Sequence, residues 1–184
     1  SDIVPVGRDQ KQHVEVTRDL AEKMNRMFGE VFTVPAPSIR EEVAVVTGLD
    51  GRKMSKSYGN TIALFEEEKA LKKKVMGIIT DSSPVEAPKD PTNSSIVALY
   101  KLFASSSDVA AMESDFRAGG IGYGDFKKRL LGAILEYTAE FRVRRAALEA
   151  EPGVAERVLK EGAERARVVA RRTMERVRAA VGLR

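Results

Sequence analysis

Lys53 and Lys56 stand three residues apart in Gly51-Arg52-Lys53-Met54-Ser55-Lys56-Ser57-Tyr58-Gly59-Asn60, with two small hydroxyls beside them and glycines on either side. An ammonium group is a compact point charge on a flexible stem, so a pair of them can follow a phosphate whose charge shifts during reaction. Ser55 and Ser57 add hydrogen bonds, and the glycines lend the backbone freedom that a closing loop needs. The chemistry this pattern suits is closure on a polyphosphate. The ordinary alternative is a Lys/Ser-rich surface turn.

A second candidate lies at the start of the chain. Ile3-Val4-Pro5-Val6 reads as a short buried parallel strand, and Gly7-Arg8-Asp9-Gln10 turns it into a helix whose expected buried side holds Val14, Thr17, Leu20, Ala21, Met24, Met27 and Phe28. A turn at the carboxyl end of a parallel strand is where open α/β sheets bind nucleotides. Gly7 admits a ligand close to the backbone. Asp9 either caps the helix or accepts from a ribose hydroxyl, and both readings stay open. His13, the only histidine, has no Ser, Cys or carboxylate constellation beside it and reads as a structural hydrogen-bonding residue.

The elements that must position these residues follow from the rest of the chain. At 184 residues, with 43% hydrophobic and 32% charged residues, it can bury a core, and it holds no apolar run long enough to span a bilayer. It has no cysteine, which excludes disulfides and thiolate metal sites and fits a cytoplasmic setting. It opens on Ser1-Asp2-Ile3, as if inside an α/β unit, and is expected to be part of a longer protein. The formal charge of +4 is concentrated from Glu151 to Arg184, where nine Lys and Arg face five Glu. A basic terminal helix is the footprint of a polyanionic partner, or a solvated face with ordinary salt pairs.

Between the two candidates, 31–37 reads as a short extended segment and Glu42–Thr47 as a further strand. A helix is expected over Phe65–Ile79, with Leu64, Ala70, Leu71, Val75 and Met76 on one side and Lys72-Lys73-Lys74 as a solvated face. Thr80–Asn93 is a Pro/Ser/Asp-rich crossover. Everything after it reads as helix: one capped by Asn93 or Ser94, one over Asp108–Ala118 stopped by Gly119-Gly120, one from about Asp125 to Ala150, and one over Val154–Val181. The stripe Leu159, Ala163, Ala166, Val169, Ala170, Met174 and Val177 on the last helix is expected to be core.

The letters KMSKS at 53–57 match the second signature of the class I aminoacyl-tRNA synthetases. The run Val4-Pro5-Val6-Gly7-Arg8-Asp9-Gln10-Lys11-Gln12-His13, continuing to Ala21, resembles the bacterial tryptophanyl-tRNA synthetase family, with Arg8 where that family often carries an acid. Gly122-Tyr123-Gly124-Asp125-Phe126-Lys127 and Glu161-Gly162-Ala163-Glu164-Arg165-Ala166 extend the resemblance over almost the whole chain.

The resemblance implies an α/β plus all-α chain. Residues 1–80 would form the C-terminal half of a Rossmann-like nucleotide-binding domain, and residues 81–184 a helical anticodon-binding domain. It implies ATP contacts from Gly7, Arg8, Asp9, Val45, Val46, Lys53, Met54, Ser55, Lys56 and Ser57, with Lys53 and Lys56 catalytic and Met54 an apolar anchor. Val4, Val6 and Gln10 would border a tryptophan pocket. ATP with Mg2+ would be substrate, with no protein-bound metal; tRNA(Trp) and L-tryptophan would be the partners in a homodimeric cytoplasmic enzyme. The family's HIGH signature and its indole-reading acid are absent from these residues, so activity of this chain alone is not expected. A non-catalytic tRNA-binding module and the related tyrosyl enzyme are the alternatives.

Overall fold

The computed structural model describes residues 1–40 and 45–183. Its chain divides into two compact units, one of residues 1–44 with 146–184 and one of residues 45–145. The boundary at 80/81 drawn from the sequence is one of chain order; packing groups the residues differently.

In the first unit, β1 (Ile3–Pro5) runs parallel to β2 (Ala36–Ser38), with Ile3 opposite Ala36 and Pro5 opposite Ser38. Between them come a 3-10 turn over Arg8–Gln10 and helix α1 (Lys11–Phe28). Asn25 fastens the return from α1 to β2, its Oδ1 accepting from the N–H groups of Val31 and Phe32 and its Nδ2 donating to the Phe32 carbonyl. Arg18 does the same at the Pro35 carbonyl, at 2.6 Å.

Burial here departs from the amphipathic reading. Val14 and Ala21 are buried, but Leu20 and Met27 are each 63% exposed and Thr17 and Phe28 are also open. Strand β1 alternates exposed, half-buried, exposed rather than being buried. A parallel strand needs cover on both faces, and the two three-residue strands with α1 between them do not supply it. The 3-10 turn also corrects the capping expectation: Gln10 occupies the N-cap of α1 and makes no side-chain capping bond, while Asp9 lies inside the turn.

Helix α6 (Val154–Ala180) belongs to this unit and buries none of its residues; Leu159 is 72% and Val169 66% exposed. The expected core stripe on α6 is therefore a surface stripe among the described residues. Spacing shows that a helix has an apolar side, and only a neighbour can bury it.

The second unit holds the core. Helices α2 (Glu68–Met76), α3 (Ser95–Tyr100), α4 (Ser106–Ala118) and α5 (Tyr123–Ala150) bring Leu71, Val75, Ile78, Ile96, Leu99, Met112, Phe116, Phe126, Leu130 and Ile134 into one cluster. Phe116 and Phe126 stack with centroids 4.0 Å apart. Along α5 the buried positions Phe126, Leu130, Ile134 and Thr138 recur every four residues, so one edge of the helix enters the core, with Tyr123, Leu131 and Leu135 partly buried beside it. Ser94 caps α3 by accepting from Val97 N–H, and Ser105 caps α4 by accepting from Asp108 N–H. Gly119 ends α4 at φ 76°, where a Cβ would come within 2.4 Å of the Glu86 carbonyl.

Helix α2 starts three residues later than the periodicity suggests, because Leu64-Phe65 form a turn, and it stops at Met76. Leu71 and Val75 are buried as expected, whereas Leu64 is 52% exposed. The crossover before α3 is built around Lys89, which is buried and donates to the carbonyls of Pro84, Val85 and Ala87. Tyr123 donates to Asp81 at 2.8 Å, and burial followed by that carboxylate pushes its phenol up to about 12. Of the strand expected over Glu42–Thr47, residues 42–44 lie outside the described residues, and the rest contributes an isolated antiparallel bridge from Thr47 to Lys53.

Candidate functional site

The lysine loop begins at that bridge. The Met54 N–H donates to the Val46 carbonyl at 2.8 Å and Gly48 N–H to the Arg52 carbonyl at 2.7 Å, closing a tight excursion over 48–53. Met54 is half-buried and packs against the core cluster, which ties the middle of the motif to the fold. Ser55 adopts an extended conformation and then Lys56–Tyr58 form one 3-10 turn. The Ser55 and Ser57 hydroxyls lie 2.8 Å apart, and the Lys53 and Lys56 side chains are exposed. The arrangement sets two cations and two hydroxyls on the outside of a loop whose inside is fixed.

Asn60 does the fixing. It is 3% exposed. Its Oδ1 accepts from Ser55 N–H at 2.8 Å, and its Nδ2 donates to the Asp50 carboxylate at 2.7 Å and to the Lys53 carbonyl at 3.1 Å. Its own carbonyl accepts from Leu49 N–H at 3.1 Å. One buried amide thus links the residues before, within and after KMSKS, which suits a group that would be costly to leave unpaired. Gly48 makes room for it: a Cβ there would lie 2.2 Å from Asn60 Nδ2.

The Asn60 bond leads the causes that hold the Asp50 carboxyl down to about 2. Burial opposes it, and Arg52 adds to it through an Nε bond at 2.7 Å and an ion pair at 2.7 Å. The Arg52 guanidinium also lies 4.9 Å from the centre of the Tyr58 ring. Neither Asn60, Gly48 nor Asp50 was marked as a site residue by the sequence pattern. An Asn beside a Gly reads there as turn chemistry, and its side-chain contacts, up to ten residues back along the chain, have no periodic signal.

Of the other residues expected at the nucleotide, Val46 is half-buried with its carbonyl engaged by Met54, and Val45 is 53% exposed. Gly7, Arg8 and Asp9 lie in the first unit, at the carboxyl end of β1, where Gln10 N–H closes the turn onto the Gly7 carbonyl at 3.0 Å.

Val4, Val6 and Gln10 come together on one cavity of that same unit, of about 560 Å³, whose other walls include Val14, Leu20, Phe32 and Pro35. Its volume is that of a small-molecule site, apolar with a few polar groups. Its polar residues include Gln10, whose Oε1 lies 2.9 Å from His13 Nδ1, and Thr17, which donates to the His13 carbonyl at 2.8 Å. His13 is thus a hydrogen-bonding residue beside Gln10. Among the described residues no group of three or more His, Cys, Asp or Glu is placed to hold a metal ion, and no helix is long and apolar enough to cross a membrane.

Comparison with known proteins gives this geometry its family. The chain is 48% identical over 184 residues to the tryptophan–tRNA ligase of Rhodopirellula baltica, covering 100% of the chain and 58% of that protein. It is 46% identical to that of Fusobacterium nucleatum, covering 56% of it. The chain thus spans a little over half the length of these curated relatives. A crystal structure of Campylobacter jejuni tryptophanyl-tRNA synthetase complexed with ADP and tryptophan superposes with a TM-score of 0.83 at 44% identity, covering 100% of this chain and 57% of that one. The Mycoplasma pneumoniae tryptophanyl-tRNA synthetase superposes at 0.73 with 27% identity. With the family profile "tRNA synthetases class I (W and Y)" matching residues 1–137, the chain belongs to the class I tRNA synthetases of that group.

Proposed function

We propose that this chain is the lysine-loop and helical portion of an ATP-dependent tryptophan–tRNA ligase. The observation that carries the reading is the braced loop, with Lys53 and Lys56 outward and Ser55, Lys53 and Asp50 tied inward to Asn60. In the complete enzyme the carboxylate of tryptophan attacks the α-phosphate of Mg-ATP. The bond to the β-phosphate oxygen breaks, pyrophosphate leaves, and tryptophanyl-adenylate then passes its acyl group to the terminal ribose of tRNA(Trp). No general base is required, since the nucleophile is already a carboxylate. The catalytic work is positioning and charge stabilisation: Lys53 and Lys56 neutralise charge on the departing pyrophosphate, Ser55 and Ser57 hydrogen-bond it, and Met54 holds the loop's base.

Gly7, Arg8 and Asp9 contact ATP, chiefly its ribose, and Val45 and Val46 approach the adenine through backbone. Val4, Val6 and Gln10 border the indole of tryptophan; the largely apolar cavity that all three line supports this. The relative crystallised with ADP and tryptophan supports both ligands. Mg2+ arrives with ATP as part of the substrate. Residues 1–80 complete a nucleotide-binding domain and residues 81–184 serve the tRNA anticodon. The α6 face carrying Arg167, Arg171 and Arg178 around Met174 supports a phosphate-backbone contact. The enzyme acts as a cytoplasmic homodimer.

Tryptophan-dependent ATP–pyrophosphate exchange by the complete enzyme tests the reading. Exchange supported by tryptophan and not by tyrosine is expected. Exchange with tyrosine alone would point to the tyrosyl activity, and none with either would leave an RNA-binding role.

A further inference from the structure

The segment between the lysine loop and α2 has no strand partner among the described residues, yet it is gripped at three successive residues from α5. The Arg142 guanidinium donates through one terminal nitrogen to the Leu64 carbonyl and through the other to the Glu66 carbonyl, each at 2.8 Å. Its Nε donates to Thr138 Oγ1 at 2.9 Å, and that buried hydroxyl in turn donates to the Ile134 carbonyl at 2.7 Å. The Arg145 guanidinium lies 5.2 Å from the centre of the Phe65 ring. From α2, Lys74 holds the near end of the same segment, donating to the Thr61 carbonyl at 3.1 Å and pairing with Glu66 at 2.8 Å.

Arg142 continues the four-residue series of Phe126, Leu130, Ile134 and Thr138, where an apolar residue would extend the core edge. An arginine at this place gives up apolar burial for a planar fork that bridges two carbonyls, a geometry that lysine cannot reproduce. Four residues upstream of Leu64 stands Asn60, the brace of KMSKS. The lysine loop is thus joined to α5 through Asn60, the short stretch 61–63 and the Arg142 fork.

We propose that Arg142 is a positioning residue for the lysine loop: it fixes the loop's exit to α5 and so sets where Lys53 and Lys56 present their charge. This rests on the proposed tryptophan-activating function. Arg142 touches no substrate; its effect passes through the loop. Losing charge-assisted bonds of this kind is expected to lower the rate of adenylate formation by about tenfold or more, with a much smaller change in KM for ATP, because the interaction matters most where the transition state must be met.

The test compares the parent enzyme with Arg142→Met, which keeps the stem and removes the fork, Arg142→Lys, and a control on the same helix, Arg129→Met, which loses an ion pair to Asp115 distant in sequence from the loop. Two readouts are taken: kcat and KM in tryptophan-dependent pyrophosphate exchange, and hydrogen exchange of the Ser55 amide in the 184-residue chain. The proposal expects lowered kcat in Arg142→Met, partial recovery in Arg142→Lys, parent behaviour in Arg129→Met, and faster Ser55 exchange only in the Arg142 variants. Parent kcat in Arg142→Met overturns it, as does equal loss in Arg129→Met or unchanged Ser55 protection. If the parent enzyme itself shows no exchange with tryptophan, the functional reading fails, and the Ser55 amide still decides whether Arg142 holds the loop.

Discussion

Replacing Asn60 with alanine removes three side-chain hydrogen bonds from one buried amide and leaves the Ser55 N–H and the Lys53 carbonyl without their partner. Taking only these two backbone partners, at about 0.5–1.5 kcal/mol each, the loop loses about 1–3 kcal/mol of local stability. That is a fraction of the roughly 5–15 kcal/mol that holds a domain folded, so the variant remains native while its loop opens more often. At about 1.4 kcal/mol per decade, protection of the Ser55 amide should fall roughly 5- to 150-fold, while core amides such as that of Leu130 keep theirs. Native-state hydrogen exchange followed by NMR reads both at once. The Asp50 carboxyl, which Asn60 helps hold near 2, should titrate closer to the ordinary value of about 3.9 in the variant. Unchanged Ser55 protection together with an unmoved Asp50 titration would refute the assignment of Asn60 as the loop's brace.

Gly48→Ala should reproduce the loosened loop from the opposite side, since its Cβ must displace the Asn60 amide from 2.2 Å; a cost of about 1–3 kcal/mol and faster Ser55 exchange are expected, and parent-like exchange would show that the loop adapts. In the parent, the depressed Asp50 pKa means that its contribution is fully present above the unfolded value near 3.9 and is lost as pH falls towards about 2; a carboxyl titration midpoint near 4 would contradict this. Leu130→Ala, at a position fully buried in the second unit, should destabilise by about 2–5 kcal/mol in urea unfolding without altering Asp50 titration; a change below about 1 kcal/mol would mean that the cluster is not the core.

Much of the molecule was legible in its residues, and for identifiable reasons. The strand, Gly7 turn and following helix are read from local chemistry, as are the stops at Gly119 and Pro152-Gly153, because capping and turn residues act within a few positions. Clustering of Val4, Val6 and Gln10 on one cavity follows from alternate residues of the strand and its continuation sharing a face, and from the 3-10 turn that ends at Gln10, the N-cap of α1. What could not be read is whatever depends on a neighbour. Leu20 and Leu159 sit at good apolar spacing and are still exposed, since periodicity names a face without naming its cover. Helix α2 begins at Glu68 rather than Phe65: Leu64 and Phe65 form a turn, and the carbonyls of Leu64 and Glu66 accept from Arg142, 76 or more residues downstream. Asn60 and Arg142 share this cause: each acts through side-chain bonds to backbone that propensity does not encode.

Pre-steady-state adenylate formation by Lys56→Ala in the complete enzyme, measured across ATP concentrations with tryptophan saturating, tests whether the lysine loop serves the transition state of ATP cleavage. The rate at saturating ATP should fall by about a hundredfold or more, with the ATP dissociation constant changed only a few-fold. An equal loss in both, or a weakened affinity with an unchanged rate, would show that Lys56 merely binds ATP and would overturn its transition-state role.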